Sequence, residues 1–177
     1  MRILRSVCMC GLACLAVAVH AADPSEVPAL IDPNDERLQW HTHRSHESTC
    51  IFTGTAVSEK RDDAFEVQFR QSRGQELKLF VIIPKLPKGG TVFMEAPTTR
   101  DRWKIFTENY KPALAGAQAE SLRRNVATGV PLMFTFEFGQ GKRVIFQTVA
   151  KGSITAAFEF TTCVNQIIQE GLEARKQ

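Results

Sequence analysis

The sequence predicts a mostly β fold: one antiparallel sandwich or open barrel, carrying one short helix and a C-terminal helix. Three observations lead there. Apolar residues recur with period two in several short runs, as in Phe65, Val67 and Phe69 and again in Leu77, Leu79, Val81 and Ile83. Turn-forming residues separate those runs at short intervals, and 3.6-residue periodicity emerges only late in the chain. The 177 residues suit one domain of ordinary size, and 44% hydrophobic against 23% charged residues is a globular balance rather than a disordered one. With 12 Phe and a single Tyr, the core is expected to be Phe-rich.

Residues 1–21 read as a secretory signal peptide. Arg2 and Arg5 form a positive start, and Val7–Val19 is an apolar stretch of about 13 residues, too short for a stable membrane span. Val19 and Ala21 suit the two positions that a signal peptidase inspects, so cleavage is expected after Ala21. A lipid-anchored start at Cys14 is the competing reading, but Gly11 stands where a large aliphatic residue is usual. Cleavage takes Arg2 and Arg5 from the 22 basic residues and nothing from the 19 acidic ones, leaving a net charge near +1. Such a balance gives no general attraction to nucleic acid or anionic lipid, and nucleic-acid binding is set aside. No later run is long enough to span a bilayer, so the mature chain is expected to be soluble, exported and without a transmembrane segment.

Residues 22–37, rich in Pro and acidic side chains, form an extended arm leading into a single domain at 38–177. Strands are expected at Cys50–Val57, Ala64–Arg70, Glu76–Ile83, Thr91–Glu95, Trp103–Phe106, Leu132–Phe138 and Arg143–Val149. The last two flank Gly139-Gln140-Gly141-Lys142 as a hairpin turn, and Ile154–Phe160 reads as a final strand. A short helix spans Ser121–Thr128 and stops at Gly129. A C-terminal helix, capped by Thr161 or Thr162, places Val164, Ile167, Ile168 and Leu172 on one face.

Loss of residues 1–21 removes Cys8, Cys10 and Cys14 and leaves Cys50 and Cys163. In an oxidising compartment such a pair is most simply a disulfide bracketing the domain. A redox-active thiol lacks the CxxC spacing, and a zinc site matches no standard finger.

Chemistry is sparse. His41 and His43 share a face in an extended chain and could meet one metal ion, with His46 or Glu47 as third ligand. Arg44 stands among them and no dense ligand group follows, so polar histidines in a lead-in loop are the preferred reading and no metal or cofactor site is assigned. Ser45, Ser48 and Ser58 lie in no nucleophile elbow, Asp62-Asp63 reads as a turn, and Lys88-Gly89-Gly90 lacks the rest of a phosphate loop. Trp103 and Tyr110, beside Lys104 and Lys111, could form a ligand face, though core packing accounts equally well for Trp103. No residue receives a catalytic role, and the chain is read as a non-enzyme.

The order of landmarks resembles a known family. Trp40 precedes Cys50; Gly54-Thr55-Ala56 and alternating strands follow; Trp103 lies in the middle; Gly129-Val130-Pro131-Leu132-Met133-Phe134 follows the short helix; and Lys142-Arg143-Val144 precedes Phe160-Thr161-Thr162-Cys163-Val164. Over about residues 38–170 this looks like the N-terminal domain of the flagellar-motor protein MotY, in which a Phe-x-x-Cys-Val element closes the domain and the two cysteines pair. The resemblance implies a periplasmic scaffold docked on a ring of an envelope-spanning machine, a flagellar motor or secretion system, with other subunits of an outer-membrane or basal-body complex as partners. Members usually continue into an OmpA-like peptidoglycan-binding domain that does not follow here, so peptidoglycan binding is not expected. A second resemblance, to the invasion-associated locus B family, rests on Leu79–Pro84 and on Gly129 and Leu132. A periplasmic hydrolase inhibitor is the generic third reading.

Overall fold

The computed structural model describes residues 32, 35, 38–46, 48–83, 91–95, 101–105 and 111–176. The expected signal peptide, most of the arm, Glu47, Pro84, Lys88–Gly90, Phe106 and Tyr110 lie outside them. Among the described residues are nine strands, β1 (His41–Ser45), β2 (Thr49–Ser58), β3 (Ala64–Ser72), β4 (Lys78–Ile82), β5 (Thr91–Glu95), β6 (Arg102–Ile105), β7 (Leu114–Ala115), β8 (Met133–Glu137) and β9 (Arg143–Thr148). Two helices, α1 (Gly116–Ala127) and α2 (Ser153–Ala174), complete the fold. All pairings are antiparallel, and the sheet runs β6-β5-β8-β9-β2-β3-β4-β7 in a nearly closed, barrel-like curve.

Alternation explains the meander β2–β3–β4. Phe65, Val67 and Phe69 are buried, as are Leu79 and Val81 opposite them, so each strand turns one row of side chains inward. The turn from β2 to β3 uses the acidic pair in its expected role. The Ser58 hydroxyl donates to Asp62 Oδ1 (2.7 Å) and accepts from the Asp62 amide (3.1 Å), while the Ser58 amide donates to the Asp63 carbonyl (2.9 Å). The β8–β9 hairpin closes over a 3-10 turn at Gly139–Gly141, with the Phe138 amide on the Lys142 carbonyl at 2.9 Å. Inside, Phe65 packs on Phe134, Phe136 and Phe146 with ring centroids 5.0, 5.7 and 5.0 Å away.

Strand β2 divides one of its edges between two partners. Along one side it pairs with β3 from Thr49 to Val57. On the other, Thr49–Thr53 pair with β1 and Ala56–Ser58 with β9. Gly54 lies at the changeover because a Cβ there would overlap the Trp40 indole. The indole covers the gap in side-chain packing, 4.5 Å from the Phe52 ring, and the Trp40 amide donates to the Lys151 carbonyl at 3.0 Å.

The helices correct two expectations. Helix α1 begins at Gly116, not Ser121, directly after β7; the Gly116 amide donates to the Leu77 carbonyl and ties the junction to the sheet. It does stop at Gly129, where the Gly129 and Val130 amides donate to the Val126 and Asn125 carbonyls. Residues Ile154–Phe160 form no strand. They are the first turns of α2, which starts after Gly152 (φ 75°), and Ala156, Ala157 and Phe160 turn inward at helical spacing. Thr161 and Thr162 are therefore mid-helix rather than caps, and their hydroxyls donate back to the Ala157 and Phe158 carbonyls. No described helix is long and apolar enough to cross a membrane.

Candidate interaction surface

Thr42 and Arg44 of β1 and Cys50 and Phe52 of β2 face α2. Cys50, fully buried on β2, is joined to Cys163 on α2 with their Cα atoms 6.0 Å apart. One turn earlier on the helix, the Phe160 ring packs tilted against Phe52, centroids 5.9 Å apart. The Thr42 hydroxyl donates to the Ala156 carbonyl at 2.6 Å. Arg44 grips Glu170 with both guanidinium amines, at 2.9 and 2.5 Å, and Arg73 crosses Gly171 to donate to the Ile167 carbonyl at 2.7 Å. These hydrogen bonds from Arg44 hold the Glu170 carboxyl below the usual glutamate range, outweighing desolvation, which acts in the opposite sense. Helix α2 is thus clamped along its length by a covalent bond, an aromatic contact and ionic contacts.

Odd-numbered side chains of the same strands face away from α2. The register aligns His41 with Thr53, Gln68 and Phe80, and His43 with Ile51, Arg70 and Lys78. The two imidazoles do come together, stacked with centroids 5.8 Å apart. They occupy a strand, not the lead-in loop that the sequence suggested, and His46 sits in the following turn at φ 57°. Among the described residues no three His, Cys, Asp or Glu side chains gather as a metal site. Next to the histidines, Gln68 donates to Glu66 and accepts from Arg70, both at 2.6 Å, and the Arg70 guanidinium lies 4.3 Å over the Phe80 ring. Gln68, Glu66 and Arg70 thus satisfy one another, whereas the buried Thr53 hydroxyl opposite His41 has no hydrogen-bond partner among the described residues.

The remaining candidates separate. Ser58 is consumed by its turn, and its hydrogen bond keeps the Asp62 carboxyl below the usual aspartate range. Half-buried Trp103 packs against the core from β6, opposite Met94. Its neighbour Arg102 covers the Phe93 ring at 3.8 Å and bridges Glu95 and Glu137. Strand β6 ends the sheet order among the described strands. Sequence reasoning missed β1 and the Arg44–Glu170 and Arg73–Ile167 contacts; the polar His41–Ser45 run carries no apolar alternation to reveal a strand. No family model matches the chain, and no curated protein matches it.

Proposed function

We propose that the chain is an exported, periplasmic, non-enzymatic module that works by protein contacts inside an envelope-spanning assembly, as its resemblance to the MotY N-terminal domain implies. The observation that carries this reading is the Cys50–Cys163 bond. A disulfide that staples the domain suits an oxidising compartment, and the leader-like residues 1–21 supply the route there. Phe160, Cys163 and Val164 lie on the helix face turned to β2 and the core, where a Phe-x-x-Cys-Val element would close the domain. The docking surfaces are the outer edge of β6, the face around His41, His43 and Arg70, and the Pro-rich arm at 22–37. At the arm's end the Asp35 carbonyl accepts from the Leu38 amide at 3.0 Å.

Fractionation tests this directly. A tagged copy should sediment with basal bodies or secretion complexes in cells that build them and be released to the soluble periplasm in cells that do not. Identical fractionation in both would refute the scaffold reading.

A further inference from the structure

Helix α2 holds its inner face against the sheet, yet four large apolar side chains stand outside: Ile154 at 65% exposure, Phe158 at 74%, Ile168 at 44% and Leu172 at 46%. Thr161 and Asn165, also exposed, fill the interval between them. The six positions are spaced by four, three, four, three and four residues, the alternation that keeps side chains in one straight seam along a helix. Between Gly152 and Gln169 the only charged residue is Glu159, so this solvent-facing length of helix lacks the charges that normally keep such a face in water.

The seam is palindromic. Reversed about Cys163, Ile154 falls opposite Leu172, Phe158 opposite Ile168, and Thr161 opposite Asn165. Apolar positions meet apolar ones and the polar pair meets itself at the centre. Its flanks obey the same symmetry: Thr155, Thr162 and Gln169 on one side are uncharged, and Ala157, Val164 and Gly171 on the other are small or apolar. A two-fold axis brings the residues nearest it, Thr162 and Val164, beside their own copies, where a charge would repel itself.

The geometry points to α2 as a homodimerisation surface, its seam packing antiparallel on the same seam of a second copy. The Thr161–Asn165 pair, made twice across the axis, fixes the register as a buried polar pair does in a coiled coil. Antiparallel packing also opposes the two helix dipoles. A lipid surface is disfavoured, since Ser153–Ala174 itself contains three glutamates and no Lys or Arg, and the two cations laid against it, Arg44 and Arg73, are paired with Glu170. A contact along one helix covers roughly half of the ~800 Å² per partner that a stable interface buries, so the dimer is a weak one. This pairing does not depend on the assembly role proposed above.

The test is analytical ultracentrifugation of the exported, disulfide-bonded protein over a concentration series. The wild type should move from monomer to dimer, and Phe158→Glu should raise the dissociation constant at least about tenfold with an unchanged circular dichroism spectrum. Phe158→Glu with Ile168→Lys should restore pairing, because antiparallel packing sets each glutamate beside a lysine, whereas a parallel pair would set like charges together. A wild type that stays monomeric throughout would overturn the proposal. So would dimerisation that emerges only when residues 22–31 are deleted, which would make the arm the occupant of the seam. Flotation with neutral or anionic phospholipid vesicles, if abolished by Phe158→Glu, would assign the seam to lipid and equally overturn it.

Discussion

Removing the Cys50–Cys163 bond should cost more than any other two-atom change in the domain. The perturbation is Cys50→Ala with Cys163→Ala, which leaves no stray thiol. The cysteines are 113 residues apart in sequence, and the loop-length relation then gives about 4.8 kcal/mol at 25 °C from the freed unfolded chain. Loss of the fully buried Cys50 sulfur adds a small packing term of about 1 kcal/mol. The native state itself should persist, because Thr42, Phe160 and the Arg44–Glu170 pair still hold α2 in place. Against a total stability of roughly 5–15 kcal/mol, this loss takes a third or more of what the domain has. Urea unfolding followed by Trp40 and Trp103 fluorescence reads the effect. The midpoint should fall, and the m-value should rise, because an uncrosslinked chain exposes more surface on unfolding. A variant within about 1 kcal/mol of the wild type and with an unchanged m-value would refute the reasoning, since the bond would then constrain nothing in the unfolded ensemble.

Two further outcomes follow from the contacts around it. Trp40→Ala should destabilise by about 3–5 kcal/mol, and Gly54→Ala by about 2 kcal/mol through collision with the indole; in the Trp40→Ala background Gly54→Ala should cost well under 1 kcal/mol, and additive losses in the chemical-denaturation cycle would show that the two do not share a packing site. The Glu170 carboxyl is depressed in the folded state by Arg44, so its stabilising contribution is present above the ordinary glutamate value and disappears as pH falls through the folded one. Urea midpoints measured through the acid range should therefore fall less steeply for Glu170→Gln than for the wild type, with Glu120 and Asp62, both shifted the same way, supplying the remaining slope. Identical acid limbs would mean that the ion pair is fully screened.

Much of the sheet was legible in the sequence because β3, β4 and β5 bury one face and leave the other wetter, which writes a period of two into the residues. Strand β1 was not legible: His41–Ser45 are polar on both faces, and the run is extended because it pairs along β2 and because Thr42 and Arg44 reach α2. The error at Ile154–Phe160 has a different origin. Ile154, Ala156, Phe158 and Phe160 alternate as a strand would, yet Ser153, Ala156, Ala157 and Phe160 are the buried set, at helical spacing. Two periodicities coincide there because the helix carries apolar side chains on its outer side as well. The pairing of Cys50 with Cys163 was legible from parity and position, whereas Arg44 and Arg73 meet Glu170 across more than ninety residues and leave no local trace.

The divided edge of β2 bears on the order in which the chain can organise. Its contacts with β1 and β3 close short loops, and they can form as soon as residues up to Ser72 are free to fold. Its contact with β9, which aligns Ala56 with Thr148, and its covering by α2 wait for the far end of the molecule. As the chain is made, amino end first, the run Cys50-Ile51-Phe52 stands half-assembled for most of that time, with one apolar face uncovered and a thiol lacking its mate. A chain in that condition is open to wrong disulfides and to edge-to-edge association. Trp40 and Gly54 lie on the early side of this divide, so the indole can cap the strand before α2 arrives, and the longest-exposed part of the nascent fold is shielded by its own lead-in residue.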